Sequence, residues 1–302
     1  MNDLHSVSPS GTLPTRVLVT GAGGLVGRAV VDAFKSSGVQ VNAVFRTRTT
    51  EDAESLALDL ATSGDSLLAS VINPPEVIVH LAAAVPHWPR YPDNDDSANA
   101  TRTMDAVILR AAVSWNARVI YTSTCGLYNP RDSSWKTEEA PIVVRSPYFG
   151  AKLDGESAVL AAGGIVLRLS APYGVGMSLN LVLPRFIKCA LAGGAVPIWG
   201  SGRREQDFID VTDVAQAVLA TARTGGQGVF NVAAGRPTTM AELAQLVVRI
   251  LGKGVPEPTG KPDLQDGWTA RYCINKARQR LSWSPTSDLM GGISKLTSEL
   301  NQ

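Results

Sequence analysis

Cysteine is scarce in this chain, and its three cysteines do not group. Cys125, Cys189 and Cys273 are widely separated. They show no metal-ligand spacing and leave one unpaired in any disulfide scheme, so a reducing, cytoplasmic compartment is the expectation. Neither sign of charge is in excess. The formal net charge is +1 at pH 7, which gives no electrostatic reason to expect nucleic acid or a membrane surface as partner. Long hydrophobic runs are missing too, so no segment suits a bilayer span. Residues 1–14 are polar, lack the apolar core of a targeting peptide, and are expected to form a disordered tail. No internal repeat or low-complexity segment stands out. What remains is a globular composition: 302 residues, 44% hydrophobic and 18% charged, are enough for a large core and more than one lobe.

The chain is organised around residues 17–30, VLVTGAGGLVGRAV. Val17, Leu18 and Val19 make the short apolar run of a buried parallel strand. Gly21, Gly24 and Gly27 follow at intervals of three. Leu25, Val26, Ala29, Val30, Ala33 and Phe34 then recur at helical spacing, and Gly38 suits the helix end. Strand, glycine turn and helix together make a phosphate cradle. The first glycine allows the tight turn, the second lets backbone approach pyrophosphate, and the third lets the helix pack on the strand. The helix N-terminus adds free N–H groups and the positive dipole end. The alternative is a turn that serves geometry alone.

Beyond it, apolar strands at 39–45, 55–60 (ending at Asp59), 76–81, 118–122 and 164–169 alternate with helical patterns at 96–114 and within 146–162. Such alternation predicts an α/β fold with a doubly wound parallel sheet, whose ligands sit beyond the carboxyl ends of the strands. After Tyr173 the pattern loosens. A helix is expected at 181–191, an extended piece at 196–199, and segments 208–211 and 228–232 rejoining the sheet around a helix near 212–223. Thr239 with Glu242 forms a capping-box pair opening a helix to about Leu251, 255–266 is a proline- and glycine-rich loop, and Asn275 and Ser287 cap two final helices.

Tyr148 and Lys152 stand four apart in YFGAK, on one face of a helix. An ammonium beside a phenol favours phenolate and lowers the phenol's pKa from about 10 toward neutrality, which would make Tyr148 an acid/base for a hydroxyl or carbonyl oxygen. The alternative is a surface pair. Ser123 and Thr124 end the strand before it and suit a hydrogen bond to a substrate oxygen, or else a turn that uses its own hydroxyls.

With these signals in place the chain resembles the extended short-chain dehydrogenase/reductase family, also called the NAD-dependent epimerase/dehydratase family. The resemblance runs from Thr15 to about Leu300. It is carried by TGAGGLVG (20–27), LDL (58–60), HLAAAV (80–85), STCGLY (123–128), YFGAKLDGE (148–156), LRLSAPYG (167–174), WGSGRREQDFIDVTDVA (199–215), FNVAAG (230–235) and INKARQRLSWSP (274–285). It implies a Rossmann-type domain from 15–175 plus 208–235, and a smaller substrate lobe from 176–207 plus 236–302. It implies that Gly21, Gly23, Gly24, Leu25, Val26 and Gly27 hold the cofactor phosphates, that Asp59 and Leu60 lie beside the adenine, and that Leu81, Ala82, Ala83 and Ala84 line the cleft. Tyr148 would be the acid/base, Lys152 would hold the nicotinamide ribose, and Thr124 would bind the reacting oxygen of a nucleotide-activated sugar. A homodimer through the helices at 96–114 and 146–162 is likewise implied.

Departures from the family pattern narrow the expectation. The place of the acidic residue that holds an NAD ribose reads Phe45-Arg46-Thr47-Arg48, so Arg46 is expected to pair with a 2′-phosphate and NADP(H) is favoured over NAD(H). The alternative is that Arg46 and Arg48 only solvate the loop and stack on adenine. Thr124 is followed by Cys125 and Gly126 rather than by acids, which argues against a dehydratase. Cys125 is either a second acid/base or a small core cysteine. Ala171 stands where many members have Asn, and Gln206 where many have a diphosphate-gripping Arg; Arg203 and Arg204 are the nearby substitutes. His87 and Trp88 are expected to line the substrate pocket, His87 without a second metal ligand nearby. The resulting expectation is a 4-ketoreductase of a nucleotide-linked deoxysugar. A 4-epimerase with retained NAD is the alternative, and a non-catalytic dinucleotide-binding regulator the alternative from another class.

Overall fold

A computed structural model describes residues 11–47, 54–86 and 93–301. The elements in chain order are β1 (Arg16–Thr20), α1 (Leu25–Ser36), β2 (Gln40–Phe45), β3 (Ser55–Ala57), α2 (Leu67–Ser70), β4 (Val77–His80), α3 (Asp95–Trp115), β5 (Arg118–Thr124), α4 (Pro147–Ala161), β6 (Ile165–Leu169), β7 (Ala171–Tyr173), α5 (Val182–Leu191), β8 (Ala195–Ile198), β9 (Glu205–Asp210), α6 (Val211–Thr224), β10 (Gly228–Val232), β11 (Pro237–Thr239), α7 (Met240–Leu251), β12 (Val255–Pro258), α8 (Asn275–Leu281) and α9 (Leu289–Leu300).

Seven strands form one parallel sheet in the order β10-β6-β5-β4-β1-β2-β3. Strand order reverses between β1 and β4, which opens a crevice at their carboxyl ends. The period of two decides which side chain enters which core. Val17 and Val19 of β1 pack with Val30 and Phe34 of α1 and Val214 and Val218 of α6. Leu18, between them, points the other way and joins Ile108 of α3 and Val159 of α4. Both faces are thereby covered, as a parallel sheet requires. A third core gathers Leu183, Phe186 and Ile187 of α5, Val196 of β8, Leu243 and Val247 of α7 and Leu296 of α9. Ahead of β1, Leu13 packs against the first core and Thr15 N–H donates to Glu76 Oε1 at 3.0 Å. No described helix is long and apolar enough to cross a membrane.

The structure differs from the sequence expectation in four places. The strand expected to 60 stops at Ala57, because the Asp59 carboxylate accepts from Ala61 N–H at 3.0 Å and turns the chain. Segment 208–211 does not rejoin the large sheet: β9 lies between β7 and β11 in a three-stranded sheet. The position beside β6 belongs to β10, and Asp207 ties β9 to the chain beyond it through Ala234 N–H (2.7 Å) and Arg236 N–H (3.0 Å). Within the expected loop 255–266, β12 pairs in parallel with β8. Val255 N–H donates to Gly194 O and Thr259 N–H to Ile198 O, so Pro256 and Pro258 sit on an edge strand that has no need of their missing donors. Finally, the caps are each displaced by one residue: Ile274 precedes α8, and Asp288, accepting from Gly291 N–H at 2.6 Å, caps α9. The Thr239–Glu242 capping box forms as expected.

Candidate active site

The crevice beside β1 is a cavity of about 530 Å³ walled by Gly21, Gly23, Gly24, Phe45, Arg46, Thr47, Asp59, Leu60, Ala82, Ala83 and Ala84, among others. Gly21 adopts φ +66°, and a Cβ there would come within 2.9 Å of Ala82 N, so only glycine lets the turn lie this close to the end of β4. Gly24 opens α1 with no side-chain cap, leaving the first N–H groups of that helix to a ligand. The cradle therefore fits a dinucleotide pyrophosphate. Leu25, Val26, Gly27 and Leu81 are not on the cavity wall. Gly27 is the packing glycine, since a Cβ on it would collide with Gly21 O. Leu25, Val26 and Leu81 pack into the cores.

A second cavity, of about 240 Å³, begins at the end of β5 and is lined by Thr124, Cys125, Tyr128, Arg145, Ala171, Arg204 and Gln206 among its residues. Thr124 Oγ1 accepts from Gly126 N–H at 3.0 Å, which turns the chain and leaves its own hydrogen for a ligand. Arg204 and Gln206 also line a third cavity of about 380 Å³, with Arg185 and Trp199, so the two spaces share a wall. Arg204 Nε is paired with Asp263 at 2.7 Å. The Gln206 Oε1 atom is buried without a partner. Arg203 borders neither space. The Cys125 thiol donates to Arg168 O at 3.3 Å, and burial, with Asp207 adding, pushes it well above the usual thiol range. Buried and bonded to a backbone carbonyl, Cys125 fits the small core cysteine better than a base. His87, Trp88 and Arg48 lie outside the described residues.

Tyr148 and Lys152 stand in the first turns of α4, Tyr148 anchored by its N–H to Asp93 Oδ1 at 3.0 Å. Neither is on the wall of the cavities above. The phenol is not acidified as the i, i+4 spacing suggested. Burial pushes Tyr148 up to about 12, with the carboxylates of Asp105 and Asp93 adding to the shift. Lys152 is pulled down to about 8 by burial, against Asp105 and Glu156. Its Nζ lies 3.9 Å from the Tyr121 ring centre, a cation–π contact.

Sequence reasoning missed part of the second cavity. The Arg145 guanidinium carbon lies 4.8 Å from the ring centres of both Phe149 and Trp268, and its buried Nε has no partner. Lys136, Glu205, Asp207 and Tyr272 are also on the wall. Arg145 stands three residues before Tyr148 in the sequence, whereas Trp268 comes from a distant segment with no local signal.

The pattern of the NAD dependent epimerase/dehydratase family matches residues 17–233. The dTDP-glucose 4,6-dehydratase of Streptomyces niveus is 28% identical over 92% of this chain and 90% of its own. The UDP-glucose 4-epimerase of Mycolicibacterium smegmatis is 27% identical over 93% of this chain and 96% of its own. Among solved structures, MoeE5 in complex with UDP-glucose and NAD superposes with a TM-score of 0.80 at 25% identity, covering 95% of this chain and 98% of that one.

Proposed function

The chain belongs to the NAD dependent epimerase/dehydratase family, enzymes of the extended short-chain dehydrogenase/reductase type, and from that premise we propose that it is an NADP(H)-preferring 4-ketoreductase of a nucleotide-linked deoxysugar. The observation that carries the reading is Arg46 on the wall of the dinucleotide cavity at the end of β2, where an NAD-holding acid would stand. Bound nicotinamide would supply the hydride-exchanging carbon. Gly21, Gly23, Gly24 and the start of α1 would hold the pyrophosphate, and Asp59 and Leu60 the adenine end. The sugar would occupy the cavity at Thr124, whose hydroxyl donates to the keto oxygen. The rest of the substrate would pass Arg204 and Gln206 into the cavity of Arg185 and Trp199. Proton delivery to that oxygen is assigned to Tyr148, whose phenol is kept protonated by burial; it stands off the wall of that cavity, so the keto oxygen must reach past Thr124 toward α4 for the transfer. The absence of a carboxylate at Cys125 and Gly126 speaks against dehydration, despite the dehydratase relative.

The second reading is a 4-epimerase with retained NAD, favoured by the epimerase relative of nearly equal length. Purified protein incubated with nucleotide 4-keto sugars and either NADPH or NADH decides between them. Cofactor oxidation, faster with NADPH, is expected. Interconversion of two sugars with no added cofactor, by protein carrying nonexchanging NAD, would refute the reductase. We further propose a homodimer through α3 and α4 and a division of the chain into dinucleotide domain and substrate lobe.

A further inference from the structure

Behind the acid–base helix runs a chain of buried side chains that the proposed reaction leaves unused. Thr20, the last residue of β1, accepts at Oγ1 from the N–H groups of Leu81 (3.1 Å) and Ala82 (3.2 Å) and lies 2.7 Å from His80 Nδ1. With both acceptor positions taken, the hydroxyl hydrogen goes to Nδ1, which leaves His80 Nε2–H to donate to Asp105 Oδ1 at 2.9 Å. Tyr121 O–H donates to Asp105 Oδ2, also at 2.9 Å, and Lys152 sits over that tyrosine's ring. Thr20, His80, Asp105, Tyr121 and Lys152 are all buried. Gly155 admits the close approach of α4, since a Cβ there would collide with both Tyr121 Oη and Asp105 Oδ2.

The charges around Lys152 identify which carboxylate serves it. Glu156, one turn along α4, is committed to Arg168 through Nε at 2.9 Å and Nη2 at 2.7 Å. Tyr148 on α4 and Tyr121 on β5 are neutral phenols, both pushed up by burial, and His80 on β4 is turned to Asp105. Asp105, on α3, is held by His80 Nε2 and Tyr121 Oη and forms no ion pair with a lysine or arginine among the described residues; Lys152 faces it across the Tyr121 ring. A buried ammonium without a counter-charge loses its proton rather than remain charged.

We propose that Asp105 is a positioning residue for the acid–base pair: its carboxylate is the counter-charge that keeps Lys152 an ammonium, and through His80 and Thr20 it fixes that cation relative to the glycine turn. The inference rests on Tyr148 and Lys152 as that pair, and it is tested without substrate. Asp105→Asn is isosteric, still accepts from His80, and can donate to the Tyr121 oxygen. Protein labelled with 13C at the lysine side chains is titrated by NMR, with the Lys152 resonance assigned from its loss in Lys152→Arg. The wild-type midpoint is expected near the value of about 8 set by burial. In Asp105→Asn it falls by about one unit or more, the range an adjacent opposite charge sustains, and the basic limb of the pH–rate profile moves with it. Asp105→Glu keeps the charge and stays within about half a unit of wild type. An unmoved midpoint in Asp105→Asn overturns the proposal, whatever happens to turnover. Should that variant fail to fold, Asp105→Ser, smaller and equally neutral, must show the same fall, and an unmoved midpoint there overturns it too. Failure of the wild-type protein to turn over any nucleotide sugar would sink the proposed function and leave this titration intact.

Discussion

Glu156→Gln removes one charge from a pair that has almost no contact with water. Glu156 is 2% exposed and Arg168 5%. The guanidinium grips both carboxylate oxygens, at 2.9 and 2.7 Å. Its remaining nitrogen donates to Tyr128 Oη at 2.9 Å; Tyr128 donates in turn to Asn231 Oδ1 at 2.7 Å, and the Asn231 amide nitrogen holds Lys136 O and Cys273 O at 3.0 Å each. The pair therefore supports the floor of the cavity at Thr124. An exposed pair of this kind would contribute about 0.2–1 kcal/mol. A buried one that loses a single partner strands the other charge and costs about 3–5 kcal/mol. For a chain of this length that corresponds to a melting temperature lower by roughly 5–10 °C, measurable by calorimetry. The double variant Glu156→Leu/Arg168→Met removes both charges, keeps the volume nearly constant and leaves the Tyr128–Asn231 bond in place, so it should recover most of the loss. A single-variant cost below about 1 kcal/mol, or a double variant no better than the single, would refute the reasoning.

Three further outcomes are expected. Tyr148→Phe should lower kcat by about 10²–10⁴, the usual contribution of a positioned proton donor, with dinucleotide affinity unchanged in calorimetric titration; undiminished turnover would remove Tyr148 from the mechanism. Arg46→Ala should weaken NADPH by about tenfold or more and leave NADH alone, as loss of a charged hydrogen bond to a 2′-phosphate requires. Equal weakening of both would return Arg46 to the role of a solvated loop residue. Gly27→Ala places a methyl group against Gly21 O and 2.8 Å from Ala22 Cα, so α1 must shift away from the turn. Loss of dinucleotide binding together with a lowered melting temperature is expected, and retained affinity would contradict the packing role.

What was legible in the sequence was what local periodicity and short spacings control. Val17 to Val19 followed by glycines at intervals of three specified β1, its turn and α1, because strand burial, positive φ at Gly21 and the close approach at Gly27 are each properties of a few adjacent residues. The spacing of Tyr148 and Lys152 placed both on one helix. It did not tell which groups from other elements would face them, and those groups decide the chemistry. Burial pushes the Tyr148 phenol up and the Lys152 ammonium down, and Asp105, arriving from α3, adds to the first shift and opposes the second. The result is a neutral phenol where an i, i+4 argument in isolation led to an acidic one. Trp268 closes on Arg145 by the same kind of long-range meeting. β12 escaped because prolines read as loop until the pairing partner shows which edge goes unused. The protonation state of an acid–base pair is thus a tertiary property. If α3 sets it through Asp105, then two chains sharing the YFGAK spacing but differing at that position on α3 would carry the same catalytic side chains with different pH dependence, and their working pH would be read from the helix behind the site rather than from the site itself.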